Sequence, residues 1–265
     1  MLRWIGPLVF FLFSAAVASA ALERRTWTVL GAPREALVSI PETAAAAPTP
    51  VVFVFHGHGG TMQNAARTIS IHAVWPEAIV FYPQGLPTPG QLTDKEGKRS
   101  GWQARAGDQG DRDLALVDTL LAAAKAEFRV DPKRVFATGH SNGGGFTYLL
   151  WAERPDEFSA FAPSSSVLGQ EKKRPTTPKP ILHIAGRTDP LVKFAWQERA
   201  MAAVRKIDRC DETGVPWAPG GPFATLYPSA VGSPVVTLIY PGGHAFYTEA
   251  PAVIVKFFKT YGGKE

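Results

Sequence analysis

The chain has 265 residues, is 45% hydrophobic and carries a formal charge of +5, with Cys210 as its only cysteine. That length suits one domain with a sizeable core, and a lone cysteine excludes an intramolecular disulfide. The basic residues are scattered apart from Lys172, Lys173 and Arg174, so no basic face points to nucleic acid.

Arg3, the apolar run Leu8 to Val17 and Ala18-Ser19-Ala20 have the order of an export leader with an A-x-A cleavage site. The run is shorter than the ~20 residues that span a bilayer. Cleavage after Ala20 is expected, with a single mature domain over 21–265 and no stable membrane insertion. Loss of Arg3 takes the charge from +5 to +4. The expected location is the periplasm or the medium.

Thr26 to Leu30 and Ala36 to Ile40 read as two strands around Gly31-Ala32-Pro33, an antiparallel edge hairpin. Thr43 to Pro50 is an Ala/Pro-rich loop. Val51 to Phe55 is a continuous apolar run, as expected of a strand buried on both faces of a parallel sheet, and it ends at H-G-H-G-G, His56 to Gly60. Thr61 to His72 reads as helix and Ala78 to Tyr82 as strand. Gln84 to Arg112 shows no periodicity, and an excursion of that length is usually functional or mobile. Its Trp102 suits a substrate cleft as well as it suits packing.

Asp113 to Phe128 has helical apolar spacing, with Asp111 or Asp113 as N-cap. Asp131-Pro132 breaks the chain before a strand at Val135 to Thr138. That strand meets Gly139-His140-Ser141-Asn142-Gly143 and then an apolar helix ending near Glu153-Arg154-Pro155. A strand, a sharp turn and a helix around G-x-S-x-G present the serine at a helix N-terminus. Phe158 to Pro163 is the next strand, and Gly169 to Lys179 a polar connection. Pro180 to Ala185 is a strand that runs into Gly186-Arg187-Thr188-Asp189. Phe194 to Ile207 is helical, and Asp208 to Pro234 is a second excursion, carrying Trp217. Val235 to Tyr240 is the last strand, leading to Gly242-Gly243-His244. Thr248 to Tyr261 is helical, and Gly262 to Glu265 should fray.

Strands alternating with helices from residue 51 onward predict an α/β fold with a mostly parallel sheet. In such a sheet the strand C-termini share one edge, where ligands bind. Four of those ends carry chemistry: His56–Gly60, Ser141, Asp189 and His244. The order Ser, Asp, His is that of the α/β-hydrolase triad. Ser141 would be the nucleophile, His244 the general base and Asp189 its orienting carboxylate. Asp208 and Asp211 compete for the acid, but Asp189 directly follows a core strand. The backbone N–H groups of His58 and Asn142 would form the oxyanion hole. His140, beside the nucleophile, and Trp102 and Trp217, in the excursions, are the substrate-binding candidates. His56-x-His58 lacks the carboxylate or cysteine partners of a metal site, so neither metal nor cofactor is expected. Acidic neighbours disfavour a reactive Cys210 thiolate.

H-G-H-G-G, Y-P-Q-G, V-D-P-K-R-V-F-A-T-G-H-S-N-G-G, E-R-P-D-E-F-S-A-F-A-P, H-I-A-G-R-T-D-P-L-V and P-G-G-H together resemble the secreted polyhydroxybutyrate depolymerase and feruloyl esterase group. These are α/β-hydrolases related to family-one carbohydrate esterases. The resemblance spans nearly all of the mature chain. It implies a secreted serine esterase with Ser141, Asp189 and His244 as triad and the turn at His58 as oxyanion loop. Members commonly have cysteine where His58 stands, and a tryptophan near the position of Phe246. Polymer-degrading members tend to carry a further substrate-binding domain, so small or oligomeric feruloyl, acetyl or polyester substrates are expected. The alternatives are a peptidase or acyltransferase on the same triad, or a silent hydrolase fold used for binding.

Overall fold

The computed structural model describes residues 21–169 and 175–263. The leader at 1–20 and the Lys172–Arg174 cluster lie outside them. Leu22–Val29 (β1) and Ala32–Ser39 (β2) pair antiparallel from Leu22 opposite Ser39 to Val29 opposite Ala32. The hairpin is longer than the sequence suggests, and its turn is tighter. Leu30 and Gly31 both take positive φ, 48° and 80°, the signature of a two-residue hairpin turn.

Thr49–Phe55 (β3) is buried at every position, and Ile79–Pro83 (β4) likewise. Met62–Thr68 (α1) and Ile71–Val74 (α2) replace the single expected helix. Ser70, with φ 21°, separates them. Arg112–Glu127 (α3) follows the first excursion. Val130–His140 (β5) starts earlier than expected. Asp131-Pro132 does not break the strand. Pairing with β3 jumps from Thr49–Val130 to Val51–Val135, so Asp131–Arg134 bulges out of the ladder, where a proline is tolerated. Asn142–Glu153 (α4), Ala160–Ser164 (β6), Ile181–Gly186 (β7) and Phe194–Ile207 (α5) come next.

The second excursion is not a structureless loop. Val215–Pro216 (β8) and Ala224–Tyr227 (β9) pair antiparallel with each other, and β9 with Val235–Tyr240 (β10). Ala250–Tyr261 (α6) follows. The order across this sheet is β1-β2-β4-β3-β5-β6-β7-β10-β9-β8. Strands β4, β3, β5, β6, β7 and β10 run parallel, and both flanks are antiparallel.

Alternation along each strand sends neighbours to opposite faces. Phe53, Phe55, Phe81 and Ala137 join α3 and α4 in one core; Val52, Val54, Val80 and Phe136 join α1, α2 and α6 in the other. With both faces covered, the central strands are near-continuous apolar runs. They leave their C-terminal ends as the edge where polar chemistry can be placed.

Candidate active site

Ser141 lies between β5 and α4 with φ 56° and ψ −119°, a backbone region L-residues rarely occupy. Two hydrogen bonds hold it there: Ser141 N–H to the Ser164 carbonyl (2.9 Å) and Gly145 N–H to the Ser141 carbonyl (2.9 Å). The motif's glycines are required by close approach. A Cβ on Gly139 would sit 2.5 Å from the Gly143 carbonyl oxygen, and one on Gly143 would sit 2.5 Å from that of His56.

The Ser141 hydroxyl is 2.9 Å from His244 Nε2, and His244 Nδ1 is 2.8 Å from Asp189 Oδ2. The three residues come from the ends of β5, β7 and β10. Arg187 N–H donates to the Tyr240 carbonyl and Thr188 N–H to that of Gly242, each at 2.9 Å, stitching the Asp189 and His244 loops together. The Tyr240 hydroxyl bridges the carbonyls of Gly243 (3.0 Å) and Ala245 (2.5 Å). With Nδ1–H donating to the carboxylate, Nε2 is free to accept the serine proton.

Asp189 is buried, and its carboxylate is well supplied with donors. Oδ1 accepts from Leu191 and Val192 N–H, both 2.9 Å; Oδ2 accepts from Gln197 Nε2 at 3.2 Å as well as from His244. Gln197 also donates to the Val192 carbonyl (2.7 Å), and its Oε1 lies 3.4 Å from His183 Nε2. The Tyr148 hydroxyl meets His183 Nδ1 at 2.6 Å. Complete burial pushes the His183 pKa down to about 4, so the ring is neutral, accepting from Tyr148 and donating to Gln197. Gln197 was not singled out by the sequence. Its signal is a glutamine in register with Ala200, Met201 and Val204 on the buried face of α5.

The turn after β3 lies against Ser141. A Cβ on Gly57 would be 3.5 Å from the Cβ of Ser141. Within the turn, Gly59 N–H donates to the Ser100 carbonyl (2.6 Å) and Gly60 N–H to that of Gly57 (2.9 Å). Asn142 is the first residue of α4, where N–H groups have no partner within the helix. Both expected oxyanion residues, His58 and Asn142, line one cavity with Ser141 and His244.

The side chains of the two do other work. The Asn142 amide accepts from Trp102 N–H (2.7 Å) and donates to the Trp102 carbonyl (3.0 Å). His58 Nε2 is 3.0 Å from Asp94 Oδ2, and Asp94 also accepts the N–H groups of Lys98 (3.2 Å) and Arg99 (2.8 Å). These contacts hold its carboxyl below the usual range, with the Arg99 N–H the largest influence. The His56 ring instead bonds the Gly57 carbonyl and the Gly85 N–H.

Of the substrate-binding candidates, His140 lines the cavity, its ring 5.0 Å from that of His244 and edge-on to Phe246 at 5.7 Å. Burial, reinforced by the neighbouring His244 ring, pushes its pKa down to about 4. The two tryptophans do not serve as expected. Trp102 is fully buried against Phe55, Phe146 and His56, and its Nε1–H donates to the His56 carbonyl (2.8 Å). It packs under the Gly-rich turn and is bonded to Asn142, the residue after Ser141. Trp217 is 5% exposed and packs on Phe257 and Tyr261 of α6. The second excursion pairs along the sheet's edge, and none of its residues lines the cavity at Ser141.

The N-cap and acid alternatives also resolve. Asp113 binds Arg34 and Gln103 N–H, and Asp111 precedes α3 without a side-chain cap bond. Asp208 accepts the Lys179 N–H (3.0 Å) at the end of α5, and burial pushes its pKa up to about 8. Cys210 is half-buried, and burial pushes its thiol up to about 11.

The cavity above Ser141 has a volume of about 880 Å³. Its walls come from the His58 turn and α1, from 90–93 and Arg99 of the first excursion, and from 166–169 and 191–196. No helix among the described residues is long and apolar enough to cross a membrane.

Solved structures similar in shape include the acetyl xylan esterase from Aspergillus awamori, with TM-score 0.69, 13% identity and coverage of 91% of this chain and 99% of that one. A ferulic acid esterase matches with TM-score 0.64 and 14% identity over 91% and 97%. Both show the α/β-hydrolase fold. In sequence, "Putative esterase NocK" of Nocardia uniformis subsp. tsuyamanensis is 35% identical over 209 residues, 73% of this chain. The match spans only 56% of that relative's length. Feruloyl esterase C of Emericella nidulans is 27% identical over 221 residues, 80% of this chain and 76% of its own. The family model described as "Putative esterase" matches residues 28–215, and the chain belongs to that family of α/β-hydrolase-fold esterases.

Proposed function

We propose that the protein is an exported serine hydrolase that cleaves carboxylic esters through an acyl-enzyme. The unbroken chain from Ser141 Oγ to His244 (2.9 Å) to Asp189 (2.8 Å) carries the reading. His244 takes the Ser141 proton as Oγ attacks the ester carbonyl, and Asp189 stabilises the imidazolium. The oxyanion is met by the His58 and Asn142 N–H groups, each worth about a hundredfold in rate. Collapse expels the alcohol, protonated by His244. Water then attacks the acyl-serine with His244 again as base, releasing the acid and restoring the hydroxyl. His140, neutral above about pH 4, lines the floor without competing for the proton. No metal or cofactor is called on. Feruloyl, acetyl and short polyester acyl groups are the candidates, and the leader at 1–20 directs export.

The test is Ser141→Ala in a variant whose circular dichroism matches the wild type. Hydrolysis of 4-nitrophenyl acetate should vanish, and a fluorophosphonate probe should label only the wild type. Turnover retained by the folded variant overturns the reading; a wild type left unlabelled and inactive makes the fold a binding module. A panel of feruloyl, acetyl, short-alkyl and hydroxybutyrate esters then ranks the acyl groups.

A further inference from the structure

We propose that the ester this site takes is anionic: it carries a carboxylate away from the scissile bond, recognised by Arg67 and Arg99. The proposal rests on the serine-esterase reading and names the substrate class within it.

Arg99 is tied to the oxyanion turn. A Cβ on Gly59 would lie 3.3 Å from Arg99 Cδ, so the arginine stem rests on the turn. The next residue fixes that placement: the Ser100 carbonyl accepts Gly59 N–H (2.6 Å), and its hydroxyl donates to the Gly60 carbonyl (2.5 Å). Arg67 is in the last turn of α1, the helix capped by Thr61 directly after the turn. Both side chains line the cavity, and no Asp or Glu among the described residues does so. Neither guanidinium has an ion-pair or hydrogen-bond partner among the described residues. The two acids nearest Arg99 in sequence are already engaged: Asp94 with His58 and the Lys98 and Arg99 N–H groups, and Glu96 with Lys98.

The opposite wall differs. Leu191, Val192 and Trp196 follow β7, and Leu191 and Trp196 are 45% and 36% exposed. Sheet order puts β3, with its turn and the arginines, on one side of Ser141, and β6 and β7 on the other. A bound ester is thus offered an apolar wall on the β7 side and two cations on the β3 side. A cleft lined by one sign of charge concentrates the opposite sign, and guanidinium matches carboxylate in bidentate geometry. Both arginines are exposed, so an anionic ester gains contacts with them that a neutral one lacks, and a volume of about 880 Å³ exceeds what an acetyl group fills.

The carboxylate can sit on either half of the ester: a half-ester of a diacid carries it on the acyl side, an ester of a hydroxy acid on the alcohol side. Two substrate pairs separate these. Mono-4-nitrophenyl adipate is compared with 4-nitrophenyl hexanoate, and 4-acetoxybenzoate with its methyl ester. In one arm the wild-type kcat/KM should favour the anionic member about tenfold at low salt, with the preference shrinking as ionic strength rises. Arg67→Gln with Arg99→Gln should bring that ratio close to one, and the double lysine variant should keep most of it. A wild-type ratio near one in both arms, or a ratio the glutamines leave intact, overturns the proposal. If neither member of any pair is hydrolysed, the esterase reading fails. Calorimetric binding of adipate and 4-hydroxybenzoate then decides the anion site: a Kd weakened fivefold or more in the double glutamine variant supports it, and an unchanged Kd or no binding overturns it.

Discussion

The side-chain amide of Asn142 pairs with the backbone of Trp102 through two hydrogen bonds, 2.7 and 3.0 Å. The residue after Ser141 thereby fastens the first excursion to the candidate active site. Asn142→Ala keeps its own N–H for the oxyanion but leaves a donor and an acceptor of Trp102 unpaired. It should cost about 1–3 kcal/mol of stability and lower kcat on 4-nitrophenyl acetate about tenfold through misplacement. Trp102→Ala removes the buried indole and should cost about 3–5 kcal/mol, seen as a large fall in Tm. A Trp102→Ala protein of wild-type Tm would return that residue to the role of a cleft aromatic.

Gln197 holds Asp189 from behind, bridging the carboxylate to neutral His183. Gln197→Leu removes one donor from Asp189 and strands the His183 N–H. We expect kcat to drop about tenfold with KM unchanged, because the residue acts through Asp189 and touches no substrate. Gln197→Glu adds a negative charge that favours the imidazolium, so the acid limb of kcat/KM should move to higher pH. A KM effect alone in either variant contradicts the positioning role.

His58, the proposed oxyanion donor through its backbone N–H, has its imidazole latched to Asp94 at 3.0 Å. Asp94→Ala frees the ring and the Lys98 and Arg99 N–H groups together. Amide hydrogen exchange should accelerate across 94–101, and kcat should fall about tenfold or more as the oxyanion donor loosens. Unchanged exchange there would show the loop is held by other contacts.

Asp208 gives stability a pH dependence. Its unfolded carboxyl titrates near 4, its folded one near 8 because burial opposes the charge. Between those values the folded protein binds the extra proton, so this contribution is full below about pH 4 and lost as pH rises toward 8. Asp208→Asn mimics the neutral acid and keeps an acceptor for Lys179 N–H. It should be about 1–3 kcal/mol more stable than wild type at pH 8 and should flatten the profile. Urea unfolding at pH 5 and 8 measures both; equal slopes in the two proteins would contradict the assignment.

Much of the architecture was legible in local chemistry. Val51 to Phe55 announces a strand buried on both faces, and Gly139 and Gly143 allow a close approach of backbone that no larger residue would. The parallel layout then requires Ser141, Asp189 and His244 to share one edge, because strand C-termini must. Phe194 to Ile207 and Val235 to Tyr240 match the observed α5 and β10 at both ends. The excursions were not legible, since their conformation depends on contacts made across the fold.

Trp102 and Trp217 illustrate the limit. Each is an aromatic in a Gly/Pro-rich stretch, and hydrophobicity does not say which way such a ring turns. Tertiary packing decided it, placing one beneath the Gly-rich turn and the other on α6. The cavity's lining, the Gln197 support and the His58–Asp94 latch likewise join residues with no sequence periodicity in common. The residue types and their order along the strands set which atoms could do chemistry at Ser141. Which groups surround that hydroxyl, and with what charge, was decided by the loops, because their partners lie 36 to 103 positions away along the chain.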